Sequence, residues 1–486
     1  MNHRVAVIGG GISGLAAANH LRRIAPEIEV RLLEAGTRLG GEIQTTHKDG
    51  FLIEGAADNF ITTSPTAIQL CKDIGLGDDL IGTNPKQRGA MVLSRGKLEK
   101  IPEGFIVMAP SRIWPLLATK ILSPMGKLRS GCEVFVPRKQ THVDESLKSF
   151  VCRRFGTEMF ERLVQPLVGG IYTADPNRLS VAATMPRFLD MEQEHGSLIR
   201  GMLSQRRARN RQGKQTVQKS GGARYSQFMT LRGGMSQLIE ALGSRLPEDA
   251  VRLDSPVNYV VPSGDRWSVS SGLESPNREE SDAVIIAAPA NHAARMLSTV
   301  DAEISNQLSG IEYASCAVVS LAFRREQIGH DLGSFGFVVP AIEEHFILSC
   351  SFSSVKYDGR APDGTVLMRV FIGGACQSHL LRMPDAQLLE LAHWELAELL
   401  DIQGEPLMCH ITRQTQAMPQ YHVGHKDRIA KITQRLERFP TLALAGSSLS
   451  GVGVLGCIES GQKAAERVAD ALRKSSTLTV NQPAMG

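Results

Sequence analysis

A chain of 486 residues is long enough for two or three domains around a large core. With 42% hydrophobic and 21% charged residues it reads as an ordinary soluble globular protein, and a formal net charge of +4 is too small to make nucleic acid the main partner. Eight cysteines (71, 132, 152, 316, 350, 376, 409 and 457) form no C-x-x-C pair and no Cys/His cluster, which argues against a metal site and a disulfide framework and suits a reducing compartment. The first residues carry no basic lead or cleavable apolar segment, and no run reaches the roughly eighteen apolar residues of a spanning helix. The expectation is a cytoplasmic protein that meets a membrane, at most, peripherally on its inner face.

Val5-Ala6-Val7-Ile8 is a short apolar run that predicts a buried parallel strand. Gly9-Gly10-Gly11-Ile12-Ser13-Gly14 follows, with glycines at the G-x-G-x-x-G positions Gly9, Gly11 and Gly14. An Ala- and Leu-rich helical stretch leads to a second strand, Val30-Arg31-Leu32-Leu33, closed by Glu34. In this pattern Gly9 turns the chain sharply, Gly11 lets backbone approach a pyrophosphate, and Gly14 lets the helix pack near the sheet. The helix N-terminus offers free N–H groups, and Glu34, twenty residues after Gly14, is placed to bind a ribose diol.

The continuation Glu34-Ala35-Gly36-Thr37-Arg38-Leu39-Gly40-Gly41 resembles the E-x-x-x-R-x-G-G pattern of flavin amine oxidases and glutathione-reductase-like flavoproteins. The resemblance implies FAD, with Arg38 near its phosphates and Gly40-Gly41 passing beside the flavin. A solvated surface charge is the other reading of Arg38. Further on, Ser111 to Leu122 predicts a helix with Ile113, Leu116, Leu117 and Ile121 on one face, preceded by the apolar Phe105-Ile106-Val107-Met108. That face suits a membrane interface or a neighbouring helix equally well. Arg200 to Arg224 holds eight basic residues and no acid, which predicts a solvated loop, or a segment drawn to anionic lipid or an acidic substrate.

Leu231-Arg232-Gly233-Gly234-Met235-Ser236 opens a helix, and Val257 follows Asp254-Ser255-Pro256 in a strand. In the flavoprotein superfamily such a valine contributes backbone to the adenine side of FAD. Ser281 to Pro289 predicts another buried strand, and Thr441 to Gly446 a last one. The glycine-rich loop Ser447 to Gly456 then enters a helix running from Cys457 to about Arg473, whose N-terminus would stabilise negative charge on a reduced flavin. Ser475 to Gly486 reads as a loose tail.

Several segments are similar to the oxygen-dependent protoporphyrinogen/coproporphyrinogen oxidase family. Phe51-Leu52-Ile53-Glu54-Gly55-Ala56-Ala57-Asp58-Asn59-Phe60 resembles the family's E-x-G-P-(N/D)-S-F element beside the flavin, without its Gly-Pro pair. Pro166 to Pro176 matches P-(F/L)-x-x-G-(I/V)-Y-x-x-D-P, Pro419-Gln420-Tyr421 with Gly424-His425 matches P-Q-Y-x-x-G-H, and Gly451-Val452-Gly453-Val454 matches the C-terminal flavin segment. The resemblance implies an FAD-dependent enzyme of heme biosynthesis. It would oxidise protoporphyrinogen IX or coproporphyrinogen III by six electrons, with O2 as acceptor and H2O2 as product. Hydride leaves a meso carbon for flavin N5, so no acid–base residue is required of the protein.

The implied cofactor residues are Gly9, Gly11, Ile12, Ser13, Gly14, Glu34, Ala35, Arg38, Gly40, Gly41, Ala56, Ala57, Asp58, Asn59, Val257, Val452, Gly453 and Val454. The implied substrate pocket holds Gly169, Gly170, Val338 and Tyr357, with Arg88 or Arg95 as the propionate-binding cation because Ala90 stands where the family often has arginine. Gln414 stands where the family often has tryptophan. The expected fold class is α/β and α+β: a Rossmann-type FAD domain (1–87, 231–300 and 425–474) and a substrate domain with an antiparallel sheet (88–98, 201–230 and 301–424). A helical insert, 99–200, is the segment that could associate with a membrane, and a homodimer is compatible with this plan. An amine oxidase or carotenoid desaturase of the same fold is the rival reading, disfavoured because Ser447 rather than glutamate follows Ala445-Gly446. A flavin-binding partner protein without turnover is the second.

Overall fold

The structure, a computed structural model, describes residues 3–87, 89–140, 143–211, 228–272 and 277–480. At its centre is a five-stranded parallel sheet in the order Val251–Arg252, Glu29–Leu33, Arg4–Ile8, Ala283–Ile286 and Leu442–Leu444. Both faces of this sheet are covered, which is why its strands are apolar runs without alternation. On one face lie the helices Ile12–Ile24 and Val454–Val480, joined through Leu15, Ala18, Leu21, Ile458, Ala465 and Val468. The two approach so closely that a Cβ on Gly461 would stand 2.2 Å from Ser13 O. The other face is covered by the antiparallel strands Val257–Ser263, Arg266–Ser271 and Asn277–Ser281 and by short helices, around Val260, Trp267 and Leu297.

A second, seven-stranded sheet follows the expected antiparallel plan with one parallel junction, Gly336–Val338 against Met91–Ser94. Its long strands Tyr313–Arg324, Thr365–Gly373 and Met408–Pro419 pair side by side. The helix Asp385–Leu400 lies across this sheet, and its stripe Leu388, Ala392, Leu396 and Leu400 is fully buried. The four-residue spacing of that stripe follows from the helical period.

Helices between 113 and 211 form a third core, organised by buried ions. Arg154 and Glu133 are wholly inaccessible and paired, and Glu192 also contacts Arg154. Glu133 accepts the backbone N–H groups of Leu198 and Ile199 at 2.9 and 3.3 Å, so it caps the helix Leu198–Arg211. This explains one departure from expectation. The basic stretch expected to be a loop from Arg200 is helical to Arg211, because Glu133 anchors its start and Leu198, Ile199 and Met202 are buried. Residues 212–224 of that stretch lie outside the described residues.

Two other elements differ in extent. The helix expected from Ser111 spans only Ile113–Ala118, because Thr119 turns to an extended conformation and Ser111 Oγ donates to Gly104 O (2.7 Å) instead of capping. Leu116, Ile121 and Leu122 join the helical core, while Trp114 and Leu117 face solvent at 81% and 47% exposure. The C-terminal helix begins at Val454 and continues to Val480, past the expected end near Arg473 and through the start of the expected tail. No helix among the described residues is long and apolar enough to cross a membrane.

Candidate active site

A large cavity of about 1760 Å³ runs along the C-terminal ends of the parallel strands and on beneath the second sheet. That is where an open α/β sheet binds its ligand, and the volume exceeds the roughly 300–1,000 Å³ of a typical small-molecule site. There is room for a dinucleotide and a second molecule.

At one end, local geometry follows the glycine signature. Gly9 has φ +107°, and a Cβ there would meet Ala287 O at 2.6 Å. On Gly14 it would meet Gly9 O at 1.9 Å, so turn and helix can close only without a side chain. Gly11 faces open space, with nothing within 4 Å of a notional Cβ. Glu34 accepts Gly10 N–H at Oε2 (2.6 Å) and Gly36 N–H at Oε1 (2.7 Å). Each oxygen keeps a lone pair for a ribose hydroxyl. Ala35 and Val257 complete this end of the wall. The guanidinium of Arg38 donates to Leu39 O, Ile43 O and Gly41 O (3.1, 3.1 and 2.7 Å) and is not among the residues lining the cavity. These bonds shape the loop that presents Gly40 and Gly41.

The far end is closed by the loop after strand Leu442–Leu444. Gly446, Gly451 and Gly453 all have φ above +70°, in the region that favours glycine, and Val452, Gly453 and Val454 line the cavity. Two side chains from the Pro-Gln-Tyr and Gly-His elements hold this loop. Tyr421 OH donates to Ser447 O, and His425 Nε2 donates to Leu449 O at 3.4 Å. Their rings stack 4.1 Å apart. Burial pushes the His425 imidazole down to about 4, so it stays neutral and keeps the Nε2 proton for that bond. The motifs were visible in the sequence; the roles of Tyr421 and His425 were not.

Between these ends the segment Ala56, Ala57, Asp58 and Asn59 lines the cavity. Gln414 Nε2 supports it by donating to Gly55 O (3.0 Å), and Arg369 by donating to Ala56 O. Burial opposes the charge on Asp58, but Lys356 at 3.0 Å and Arg369 at 3.5 Å outweigh it and hold the carboxyl below its usual range. Deeper in, burial raises the Glu54 carboxyl, offset in part by the Met235 N–H and the Thr45 hydroxyl, both at 2.8 Å.

Of the expected substrate residues that lie among the described residues, only Gly170 lines the cavity. Gly169 sits against Gln165, and Val338 stands behind Gly170, 3.5 Å from a notional Cβ there. Tyr357 is corrected from pocket wall to core: it is 1% exposed, with Lys356 Nζ 5.1 Å and Arg360 5.6 Å from its ring. Arg95 is also corrected, since its guanidinium donates to Lys120 O (3.0 Å) and faces Glu158 (3.7 Å) away from the cavity. Arg88 lies outside the described residues. The wall is formed instead by Ile171, Thr173, Cys316, Val318, Phe371 and Gln414. Val318 pairs with Phe371 and Cys316 with Gln414 across neighbouring strands, a proximity made by strand pairing that no local sequence pattern announces.

This donor set fits FAD. The open space at Gly11, the free acceptors of Glu34 and two long helices beginning at the cavity suit a pyrophosphate and ribose, and the walls beyond suit a flat ring.

Comparison with known proteins agrees. The model of flavin containing amine oxidoreductases matches residues 12–469. The coproporphyrinogen III oxidase of Bacillus subtilis (strain 168) is 35% identical, covering 96% of this chain and 97% of that protein. That of Propionibacterium freudenreichii subsp. freudenreichii is 34% identical over 99% and 93%. A crystal structure from Exiguobacterium sp. 255-15, of a protein assigned as a protoporphyrinogen oxidase, superimposes with a TM-score of 0.83 at 29% identity, covering 97% of this chain and 99% of that one. The chain belongs to the flavin-containing amine oxidoreductase family, with relatives among the porphyrinogen oxidases.

Proposed function

We propose that the protein is an FAD-dependent porphyrinogen oxidase acting on coproporphyrinogen III. The observation that carries this reading is the second half of the cavity, continuous with the nucleotide half and walled by Gly170, Ile171, Val318, Phe371 and Met418. Among the described residues it offers a mainly apolar surface, with no acid and base paired across it. That suits a macrocycle whose oxidation needs positioning more than proton transfer. Full-length relatives named coproporphyrinogen III oxidase favour that substrate over protoporphyrinogen IX.

Bound here, FAD supplies a two-electron acceptor used three times per macrocycle, with O2 taking the electrons to hydrogen peroxide. The chain's own contribution is binding and orientation. Glu34 would hold the ribose diol, and Gly11 with the N-terminus of Ile12–Ile24 the pyrophosphate. Tyr421 and His425 fix the loop 446–453, and Gln414 and Arg369 fix 55–58 from behind. Between these two supports, the apolar wall excludes water from the reacting edge.

The reading carries a domain division: 1–87, 231–300 and 425–474 for the cofactor, 88–98, 201–230 and 301–424 for the substrate, and 99–200 as a helical insert. All five parallel strands fall in the first set, which supports it. A cytoplasmic site of action belongs to the same proposal. The test is aerobic incubation of purified protein with each porphyrinogen, following porphyrin fluorescence and peroxide. Coproporphyrinogen III should be oxidised well above its autoxidation rate. No enhancement with either substrate by FAD-loaded protein refutes the assignment.

A further inference from the structure

Behind the middle of the cavity wall sits a group of cations, of which the function above uses only Arg369, as a support for the segment 55–58. Lys356, Arg360 and Arg369 lie there, the two arginines only 2% and 1% exposed. The guanidinium of Arg360 spends its donors on Arg232 O, Leu231 O and Thr230 Oγ1, none of them charged. Arg369 and Lys356 share the single carboxylate of Asp58. Glu54 is satisfied by neutral donors, Met235 N–H and Thr45 Oγ1. Among the described residues Asp58 is the only carboxylate ion-paired with these three cations, while burial raises the carboxyls of Glu54 and of nearby Glu42 and so disfavours their charge, leaving a positive surplus in a poorly solvated place, where charge acts at longer range than in water.

The surplus is separated from the cavity by one layer of atoms. Lys356 Nζ lies 5.6 Å from the ring centroid of Phe228, and the Arg369 guanidinium 5.2 Å from that of Phe371. Both rings line the cavity, and so does Asp58. Cys316, another wall residue, feels both Arg369 and Glu42, so the charged group borders the segment that continues from Gly40 and Gly41.

We propose that Lys356 and Arg369 are positioning residues that raise the electron affinity of the bound flavin from behind the wall, and that Asp58 is the opposing charge that limits the effect. The proposal rests on the reading that FAD occupies this cavity. Reduction of FAD takes up two electrons and one proton and leaves one more negative charge than before. A fixed positive surplus favours that form whichever donor supplies the electrons. The arrangement gives the wall two controls of opposite sign on one hydrogen-bonded pair.

The test is the flavin midpoint potential of full-length, FAD-loaded protein, measured by spectroelectrochemistry without substrate. Lys356→Met should disfavour reduction about tenfold, close to 30 mV for a two-electron couple, and Asp58→Asn should favour it by a similar factor. Lys356→Arg keeps the charge and should stay near wild type. Shifts of the same sign for Lys356→Met and Asp58→Asn, or no shift in either, overturn the proposal. If Lys356→Met fails to hold FAD, Asp58→Asn decides alone: a raised potential supports the proposal, and an unchanged or lowered one refutes it. Because no porphyrinogen is present, failure of the substrate assignment leaves these potentials intact and is seen separately.

Discussion

Gly11→Ala separates the fold from the cofactor more cleanly than any other change at the nucleotide end. Gly11 has φ −70° and ψ 175°, which alanine adopts without strain, and an added Cβ would touch nothing within 4 Å. Restricting the unfolded chain contributes about 0.4–1 kcal/mol of stability to the alanine variant. The weaker helix-capping preference of alanine against glycine at this position offsets a similar amount. The apoprotein should therefore unfold within about 1 kcal/mol of wild type. The methyl, however, points into the space a pyrophosphate would fill. Overpacking by one methyl costs about 1–3 kcal/mol, so the FAD dissociation constant should rise by roughly 5- to 150-fold. Urea unfolding of apoprotein gives the first quantity, and titration of FAD fluorescence quenching the second. Gly461→Ala is the control: its Cβ would lie 2.2 Å from Ser13 O, so it should destabilise the apoprotein itself. Unchanged FAD affinity in Gly11→Ala would show that the cofactor does not approach this turn.

Three further outcomes are expected. Arg154→Met leaves Glu133 and Glu192 buried without their inner cation and should cost about 3–5 kcal/mol in chemical denaturation; a loss under 1 kcal/mol would mean that the network is dispensable. The folded His425 holds its proton less tightly than the unfolded chain does, so stability should fall as pH drops from the ordinary histidine range near 6.5 to about 4. That contribution amounts to about 3 kcal/mol, and His425→Gln should flatten this part of the stability–pH curve; a parallel curve counts against a neutral His425. If the exposed Trp114 and Leu117 dip into a membrane surface, Trp114→Glu/Leu117→Glu should abolish flotation with liposomes, and equal flotation of both proteins contradicts it.

The nucleotide half was legible because its chemistry depends on backbone. A tight turn and a close helix each demand glycine at one spacing, and Gly9 and Gly14 meet those demands in the structure, with Glu34 at the end of the next strand accepting Gly10 N–H. The substrate half was not, because its wall is assembled from strands far apart in sequence. Phe371 and Val318 become neighbours only through strand pairing, and nothing local marks either as pocket rather than core. Tyr357 shows the opposite error: an aromatic placed by resemblance proves to be buried beside two cations. Arg95 was misplaced, and Arg38 is held locally, for a common reason. Arginine donors are taken by nearby carbonyls and carboxylates that the sequence does not reveal.

The most direct test of the account is anaerobic mixing of FAD-loaded protein with coproporphyrinogen III. Loss of the flavin's visible absorbance, followed on admission of O2 by its return together with coproporphyrin III and peroxide, is the predicted result. A flavin that stays oxidised with this substrate and with protoporphyrinogen IX, while chemical reductants bleach it normally, would contradict the claim that the cavity positions a porphyrinogen for oxidation.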